Sequence, residues 1–340
     1  MSQPIHIAID AMGGDEGPRL VVEASLAFLS RYPHIRLTLF GDKPKVQSYL
    51  PAGSGNIKDR IALEHAPDTV APDERAGSAL RHKQQSSMWK SVELVAQGTA
   101  QACVSGGNTG ALMAIGRKLI TTFPGVTRPA ICKSFPTARG SSLLLDLGAN
   151  LSCTPEQLEQ FALMGSALAK VYGRSKPKVA LLNVGTELSK GSDSIQSASA
   201  LLHSNSAVNF CGFVEGHGLY CGDVDVVVCD GMVGNVALKV SEGVAGFIFD
   251  SLQKRFQKNL VNRLLGVCAK PVISSWLKEY NPSNFNGAAM LGLRRTLVKS
   301  HGGSDRWGFE KALETAVEQV TANIPHRIEQ SLLNHYIKIS

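Results

Sequence analysis

The chain has 340 residues, with 35 Lys and Arg against 28 Asp and Glu and a formal charge of +7. That length accommodates one large α/β domain or two modest ones, with enough core to fold unaided. At 44% apolar and 19% charged residues it lacks the high charge and low hydrophobicity that keep a chain disordered.

Taken in chain order, residues 5–9 (Ile-His-Ile-Ala-Ile) read as a strand from the outset, without the basic flank and cleavage site of a signal peptide. No apolar run approaches the roughly 18–20 residues that span a bilayer, so the sequence predicts a soluble, cytoplasmic protein. Further runs rich in Val, Ile and Leu at 36–40, 100–104, 143–147, 179–184 and 224–229 read as buried strands, with helical stretches between most of them. Residues 154–173 give the helical signal clearly. Thr154 caps, Pro155 fits the first helical position and Gln157 completes a capping box. Leu158, Phe161, Leu168 and Tyr172 supply the buried side, and Gly173 stops the helix. Strands alternating with such helices imply right-handed crossovers and a mostly parallel, doubly wound α/β sheet.

Small and polar residues recur just past the predicted strands: D10-A-M-G-G-D-E-G17, S105-G-G-N-T-G110, D146-L-G-A-N150, N183-V-G-T-E187 and D230-G-M-V-G-N235. Ligands of open parallel sheets bind at the carboxyl edge, so the expectation is that these turns share one site there. The S105 turn enters a predicted helix, where glycines permit close backbone approach and free N–H groups favour an anion. It is neither G-x-G-x-x-G nor a Walker-type G-x-x-x-x-G-K-[ST], so a dinucleotide or ATP site is not indicated. Lys190, flanked by Ser189 and Gly191, is either a solvated surface lysine or a cation that neutralises phosphate or an oxyanion. Asp230 either caps the following helix or faces Lys190 and moves a proton. His301 lies among small residues in K-S-H-G-G-S-D and is a further site candidate.

Residues 241–280 differ in character. Val244, Ile248, Leu252, Phe256 and Leu260 recur at i, i+4 spacing, with Phe247 beside them and Lys254, Arg255, Lys258 and Arg263 interleaved. After a break at Gly266–Pro271 come Val272, Ile273, Trp276, Leu277 and Tyr280. This predicts an amphipathic helical hairpin that serves core or dimer packing, or rests on anionic lipid.

Other chemistries lack their signatures. The seven cysteines form no C-x-x-C pair, which suits reduced thiols, with Cys103 and Cys229 inside strands as packing residues. Neither H-E-x-x-H nor paired Cys/His spacing supports a metal, and G-x-S-x-G is absent. Basic residues are spread out and aromatics reach only 6%, unlike the stripes of nucleic-acid binders. The positive charge is either a solvated surface or a match for an acidic partner.

Together the motifs identify a family. I-D-A-M-G-G-D at 9–15, H-A-P-D at 65–68, S-S-M at 86–88, G-N-T-G-A-L-M at 107–113 and L-L-D-L-G-A-N at 144–150 come first. N-V-G-T-E-L-S-K-G at 183–191, D-G-M-V-G-N-V-A-L-K at 230–239, N-G-A at 286–288 and K-S-H-G at 299–302 follow. Their order resembles the bacterial phosphate acyltransferases, which transfer a fatty acyl group from acyl carrier protein to inorganic phosphate in phospholipid synthesis. The resemblance spans about residues 5–325 and implies a three-layer α/β/α sandwich as one domain over 1–340. It implies a homodimer attached peripherally to membranes through the 241–280 hairpin, without cofactor, whose product serves a glycerol-phosphate acyltransferase. Carried onto matching positions, Lys190 and Asp230 are the implied catalytic pair. Ser105, Gly106, Gly107, Asn108, Thr109 and Gly110, with Asn183, Gly185, Asn235 and His301, are the implied contacts to phosphate or pantetheine. Gly106, Met232 and Phe285 stand where the family often has Ala, Phe and Tyr. A short-chain phosphotransacetylase using acyl-CoA and an inactive scaffold of lipid synthesis are the competing readings.

Overall fold

The structure, a computed structural model, describes residues 4–51, 57 and 59–339. Six strands fall on the apolar runs read from the sequence: β1 (Ile5–Asp10), β2 (Ile35–Gly41), β4 (Ala102–Ser105), β6 (Gly140–Leu145), β7 (Lys178–Leu182) and β9 (Val226–Val228). Five more join them: β3 (Ile61–His65), β5 (Ala130–Thr137), β8 (Asn209–Val214), β10 (Ala288–Leu291) and β11 (Thr296–Lys299). All eleven form one sheet in the order β3-β2-β1-β4-β11-β10-β5-β6-β9-β7-β8.

The sheet is mostly parallel, but it reverses at its centre. β1, β2, β3, β4 and β11 run parallel. β10 is antiparallel to both β11 and β5, and β5 is antiparallel to β6. β6, β9, β7 and β8 are again parallel among themselves. The two parallel halves therefore point in opposite senses. This corrects the expectation of one shared carboxyl edge: the turns after β1, β4 and β11 leave one edge, and those after β6, β7 and β9 leave the other.

A common face links the halves instead. Alternation along each strand sends Ala8, Cys103, Leu144, Leu182, Val227, Cys229, Met290 and Leu297 into one continuous apolar cluster. Helices α4 (Ser87–Ala96) and α5 (Thr109–Leu119) cover it, together with the base of α8 (Gly231–Gln257). The opposite face packs α1 (Gly17–Arg31) and α10 (Arg306–Thr321) over the first half. There α6 (Pro155–Val171), α7 (Asp193–Ser204) and α11 (Ile324–Ile339) cover the second half. The result is a three-layer α/β/α sandwich. α2 (Lys43–Gln47) and α3 (Ala76–His82) are short connectors. The predicted capping box at α6 is present, Thr154 Oγ1 accepting the Gln157 N–H and Gln157 Oε1 accepting the Thr154 N–H.

The hairpin forms, with two corrections. Its first helix begins at Gly231, capped by Asp230, and the chain turns at Lys258–Asn259 before α9 (Leu260–Tyr280). Asn259 Oδ1 accepts the Asn262 N–H at 2.8 Å, whereas Pro271 lies inside α9. Glycine and proline misplaced the turn because an exposed helix tolerates Pro271 with a local loss of one hydrogen bond. Helix α8 is also long and apolar enough to cross a membrane, with a window of mean hydropathy 1.3 that is only 6% buried. This differs from the expectation that no apolar run is long enough to span, because Lys239 and Glu242 interrupt the run in sequence without lowering its average below that of a spanning helix. Phe247, Leu260, Leu264 and Val272 are all more than 60% exposed. The side chains of Trp276, Leu277 and Tyr280, expected on the apolar side, lie outside the described ones.

Candidate active site

In the first half, Asp10, Ser105 and Lys299 are register partners in one row across β1, β4 and β11. Each lies two residues beyond a side chain of the shared apolar cluster (Ala8, Cys103, Leu297), so all three face the same layer. Asp10 is fully buried and accepts the hydroxyls of Ser87 and Ser105, each at 2.6 Å, and the Met12 N–H at 3.3 Å. Burial raises its carboxyl above the usual range, and these hydrogen bonds oppose the rise. Ser105 Oγ in turn accepts the Gly107 N–H at 3.1 Å. Lys299 Nζ donates to the Gly106 carbonyl at 3.1 Å and to the Ser300 carbonyl. Burial lowers this ammonium to about 8, against the attraction of Asp10 and Asp15.

Close approach requires glycine at position 13 and crowds position 107. A Cβ on Gly107 would meet Met88 Cε at 2.6 Å, and one on Gly13 would lie 2.6 Å from Asp10 Oδ2 and from the Gly107 nitrogen. Gly13, Gly14, Gly106, His301 and Gly302 line a small crevice between the three loops. The Asp15 N–H donates to the Gly302 carbonyl at 2.9 Å and closes one side. His301 is exposed; its N–H donates to Asn286 Oδ1 at 2.9 Å, and its Nδ1 accepts the Gly303 N–H at 3.2 Å.

Asn108 is committed within the protein. Its Oδ1 caps α5 through the Ala111 N–H at 2.9 Å, and its Nδ2 donates to the carbonyls of Pro72 and Glu74 at 2.8 and 3.0 Å. What it presents to a ligand is backbone. Among the described residues, the N–H groups of Gly106, Thr109 and Gly110 have no protein acceptor, and those of Thr109 and Gly110 form the positive end of α5.

In the second half, Leu145, Val228 and Leu181 are register partners, so the loops that follow them leave side by side. Asp146 is buried and accepts the N–H groups of Ile131, Ala149 and Asn150, and Asn150 Nδ2, at 2.7–3.1 Å. Burial raises this carboxyl too. Among the described residues, Asn150 Oδ1 is buried without a hydrogen-bond partner. The start of α8 presses on this loop: a Cβ on Gly234 would lie 1.9 Å from the Asp146 carbonyl, and one on Gly148 would lie 3.5 Å from Asn235. Asp230 Oδ1 caps α8 by accepting the Val233 N–H at 2.8 Å.

The 183–191 loop folds around Asn183, whose Nδ2 donates to the carbonyls of Gly185 and Lys190 at 3.1 Å each. Gly191 (φ +93°) brings the chain against that side chain. The Lys190 side chain is exposed. Lys190 and Asp230 thus stand on loops after neighbouring strands, and among the described residues no hydrogen bond or ion pair joins them. Nor does one join the first-half loops to the second-half loops. No group of three described His, Cys, Asp or Glu side chains is arranged to hold a metal.

Sequence reasoning missed Asp10, Ser87 and Lys299 as site residues. Each stands inside a quoted motif, and Asp10 is a carboxylate that directly follows the apolar Ile7-Ala8-Ile9 of its strand. That placement is the signal that could have found it.

The three-layer α/β/α fold that carries these loops is shared with solved phosphotransacetylases. The fold resembles a phosphotransacetylase from Streptococcus pyogenes with a TM-score of 0.63 at 16% identity, covering 94% of this chain and 95% of that one. A branched-chain phosphotransacylase from Enterococcus faecalis aligns with a TM-score of 0.59 at 17% identity, over 93% and 99% of the two chains. Residues 5–327 match the family model described as a fatty acid synthesis protein. A phosphate acyltransferase of Teredinibacter turnerae is 68% identical over 98% of this chain and 100% of the relative. One of Saccharophagus degradans is 55% identical over 98% and 97%. The chain belongs to the phosphate acyltransferase family, and it is an acyltransferase.

Proposed function

We propose that this protein transfers a fatty acyl group from the thioester of acyl carrier protein to inorganic phosphate, making an acyl phosphate for phospholipid synthesis. The observation that carries the reading is the end-to-end identity of 68% to a phosphate acyltransferase, without a missing segment on the relative's side. A phosphate oxygen attacks the thioester carbonyl carbon, and the carbon–sulfur bond breaks. The electron pair leaves on sulfur, and the proton of hydrogen phosphate ends on the thiol. Phosphate needs no serine or cysteine intermediary, and a thiol leaves without a strong acid. The protein's tasks are to hold two anionic reactants together and to stabilise the tetrahedral oxyanion.

In this reading Lys190 neutralises phosphate or the oxyanion, and Asp230 orients it or carries the proton. Asn183, Gly185 and Asn235 shape the reacting pocket. The backbone N–H groups of 105–110, with His301, receive phosphate or pantetheine. The whole chain acts as one domain. The exposed apolar residues of the hairpin, interleaved with Lys254, Arg255, Lys258 and Arg263, support a dimer contact and peripheral attachment to an anionic membrane. The acidic carrier protein fits the charge of +7.

Incubation with phosphate and either palmitoyl carrier protein or acetyl-CoA, followed by an assay of thiol release, tests the reading. Phosphate-dependent release from the carrier protein supports it. Release from acetyl-CoA alone identifies a short-chain phosphotransacetylase, and release from neither identifies a scaffold.

A further inference from the structure

We propose that Lys299 is a positioning residue that locks the Gly106–Gly107 peptide and so aims the phosphate-binding backbone at the head of α5. The inference rests on the proposed transfer to phosphate and names the side chain that organises one half of that site.

A single peptide bond links Lys299 to the loop. Its carbonyl, on Gly106, is held by Lys299 Nζ at 3.1 Å, and its N–H, on Gly107, is held by Ser105 Oγ at 3.1 Å. Both faces of one peptide are therefore gripped from neighbouring parallel strands, with Lys299 and Ser105 in register. Behind Ser105 stands buried Asp10, which also takes the Ser87 hydroxyl at the start of α4. Four chain segments meet in this frame: the ends of β1, β4 and β11 and the first turn of α4.

The ammonium is already engaged by two carbonyls, and it sits in the field of Asp10 and Asp15. It is consequently not a free cation waiting for phosphate. Its effect is on the backbone: with the Gly106–Gly107 peptide held at both its carbonyl and its N–H, the short link between β4 and α5, which carries the N–H groups of Gly106, Thr109 and Gly110, is fixed in place. Glycine at 107 allows this packing, since a Cβ there would meet Met88 at 2.6 Å. The role explains why a lysine occupies the end of a strand whose preceding residues, Thr296, Leu297 and Val298, are buried.

Steady-state kinetics on the full chain test the assignment, varying phosphate at fixed palmitoyl carrier protein and then the reverse. Lys299→Met, checked for native circular dichroism and melting, is expected to raise the KM for phosphate about tenfold, the scale of one charge-assisted hydrogen bond. The KM for the thioester is expected to stay within about twofold, and Lys299→Arg to restore most of the phosphate KM. A purely structural lysine would lower the melting temperature without separating the two KM values. A folded Lys299→Met enzyme with unchanged phosphate KM overturns the proposal, as does a rise confined to the thioester. Should Lys299→Met fail to fold, Ser105→Ala releases the other face of the same peptide and is expected to raise the phosphate KM at least about threefold. No rise in that variant also overturns it. If wild-type turnover is independent of phosphate, the functional reading itself fails, which is a separate result.

Discussion

Replacing Gly234 by alanine tests how tightly the start of α8 is seated on the second half of the site. The added Cβ would lie 1.9 Å from the Asp146 carbonyl oxygen and 3.0 Å from Cys229 Sγ. An ordinary contact is about 3.5 Å, so helix and loop must separate by more than an ångström. The obstructing atom is backbone, and its loop is pinned by the buried Asp146 carboxylate and its four hydrogen bonds. A cost of about 3 kcal/mol, the upper end of ordinary overpacking, is expected. For a chain of this length that corresponds to about 4 °C in melting temperature. Gly243→Ala on the same helix is the matched control, because a Cβ there meets nothing within 4 Å among the described residues. That change should stabilise by about 0.8 kcal/mol through helix propensity alone, or about 1 °C. Scanning calorimetry of both variants reads the difference directly. Equal melting temperatures for the two would refute the close seating of α8, and with it the placement of Asp230 and Asn235 by that contact.

Three further outcomes are expected. Lys190→Ala, confirmed as folded, should lose about 10²–10³ in turnover; activity within about threefold of wild type would remove Lys190 from the chemistry. Leu264→Glu combined with Leu265→Glu places charges at two exposed residues of α9 and should abolish most sedimentation with anionic vesicles, while unchanged sedimentation would mean the hairpin serves packing alone. Between about pH 8 and the ordinary lysine value, the unfolded chain holds a proton at residue 299 that the folded chain has released. Stability from this group therefore rises with pH across that window, and urea midpoints of wild type minus Lys299→Met should climb from pH 8 to 10; a flat difference would argue that Lys299 is not desolvated.

The strands of the first half and the α6 helix were legible because their signals are local. Residues 5–9 and 36–40 are rich in Ile and Leu, and Thr154 and Gln157 sit three residues apart where a capping box needs them. The reversal of the sheet was not legible. Its sense is set where β5 turns back antiparallel onto β6. The sheet is joined at that point only through β10 and β11, strands of four residues each, whose partners Ile131 and Ser105 lie more than 150 residues earlier in the chain. Ala-Ala-Met-Leu carries little strand preference by itself, so its place is decided by tertiary pairing. For the site, the motif-bearing loops were found but their grouping was not. Asp10 and Lys299 emerge only when register puts them beside Ser105, and the engagement of Asn108 depends on a segment, 71–74, that has no pattern of its own. The hairpin turn was misplaced because glycine and proline are strong punctuators only where the helix lacks other support, whereas Asn259 supplies a cap seven residues before Gly266.

The inserted pair of central strands has a consequence for how the protein is made. Strand β4 needs β11, and β5 needs β10, to cover their inner edges. A nascent chain completes β4 and β5 long before residues 288–299 exist, an interval of about ten to thirty seconds at ordinary synthesis rates. Through that interval two unpaired edges face one another across an empty slot, each a template for the wrong partner. The same late strand delivers Lys299 and His301. A chain halted short of it would carry an open sheet and no crevice, so incomplete products of translation are expected to aggregate rather than to compete for substrate.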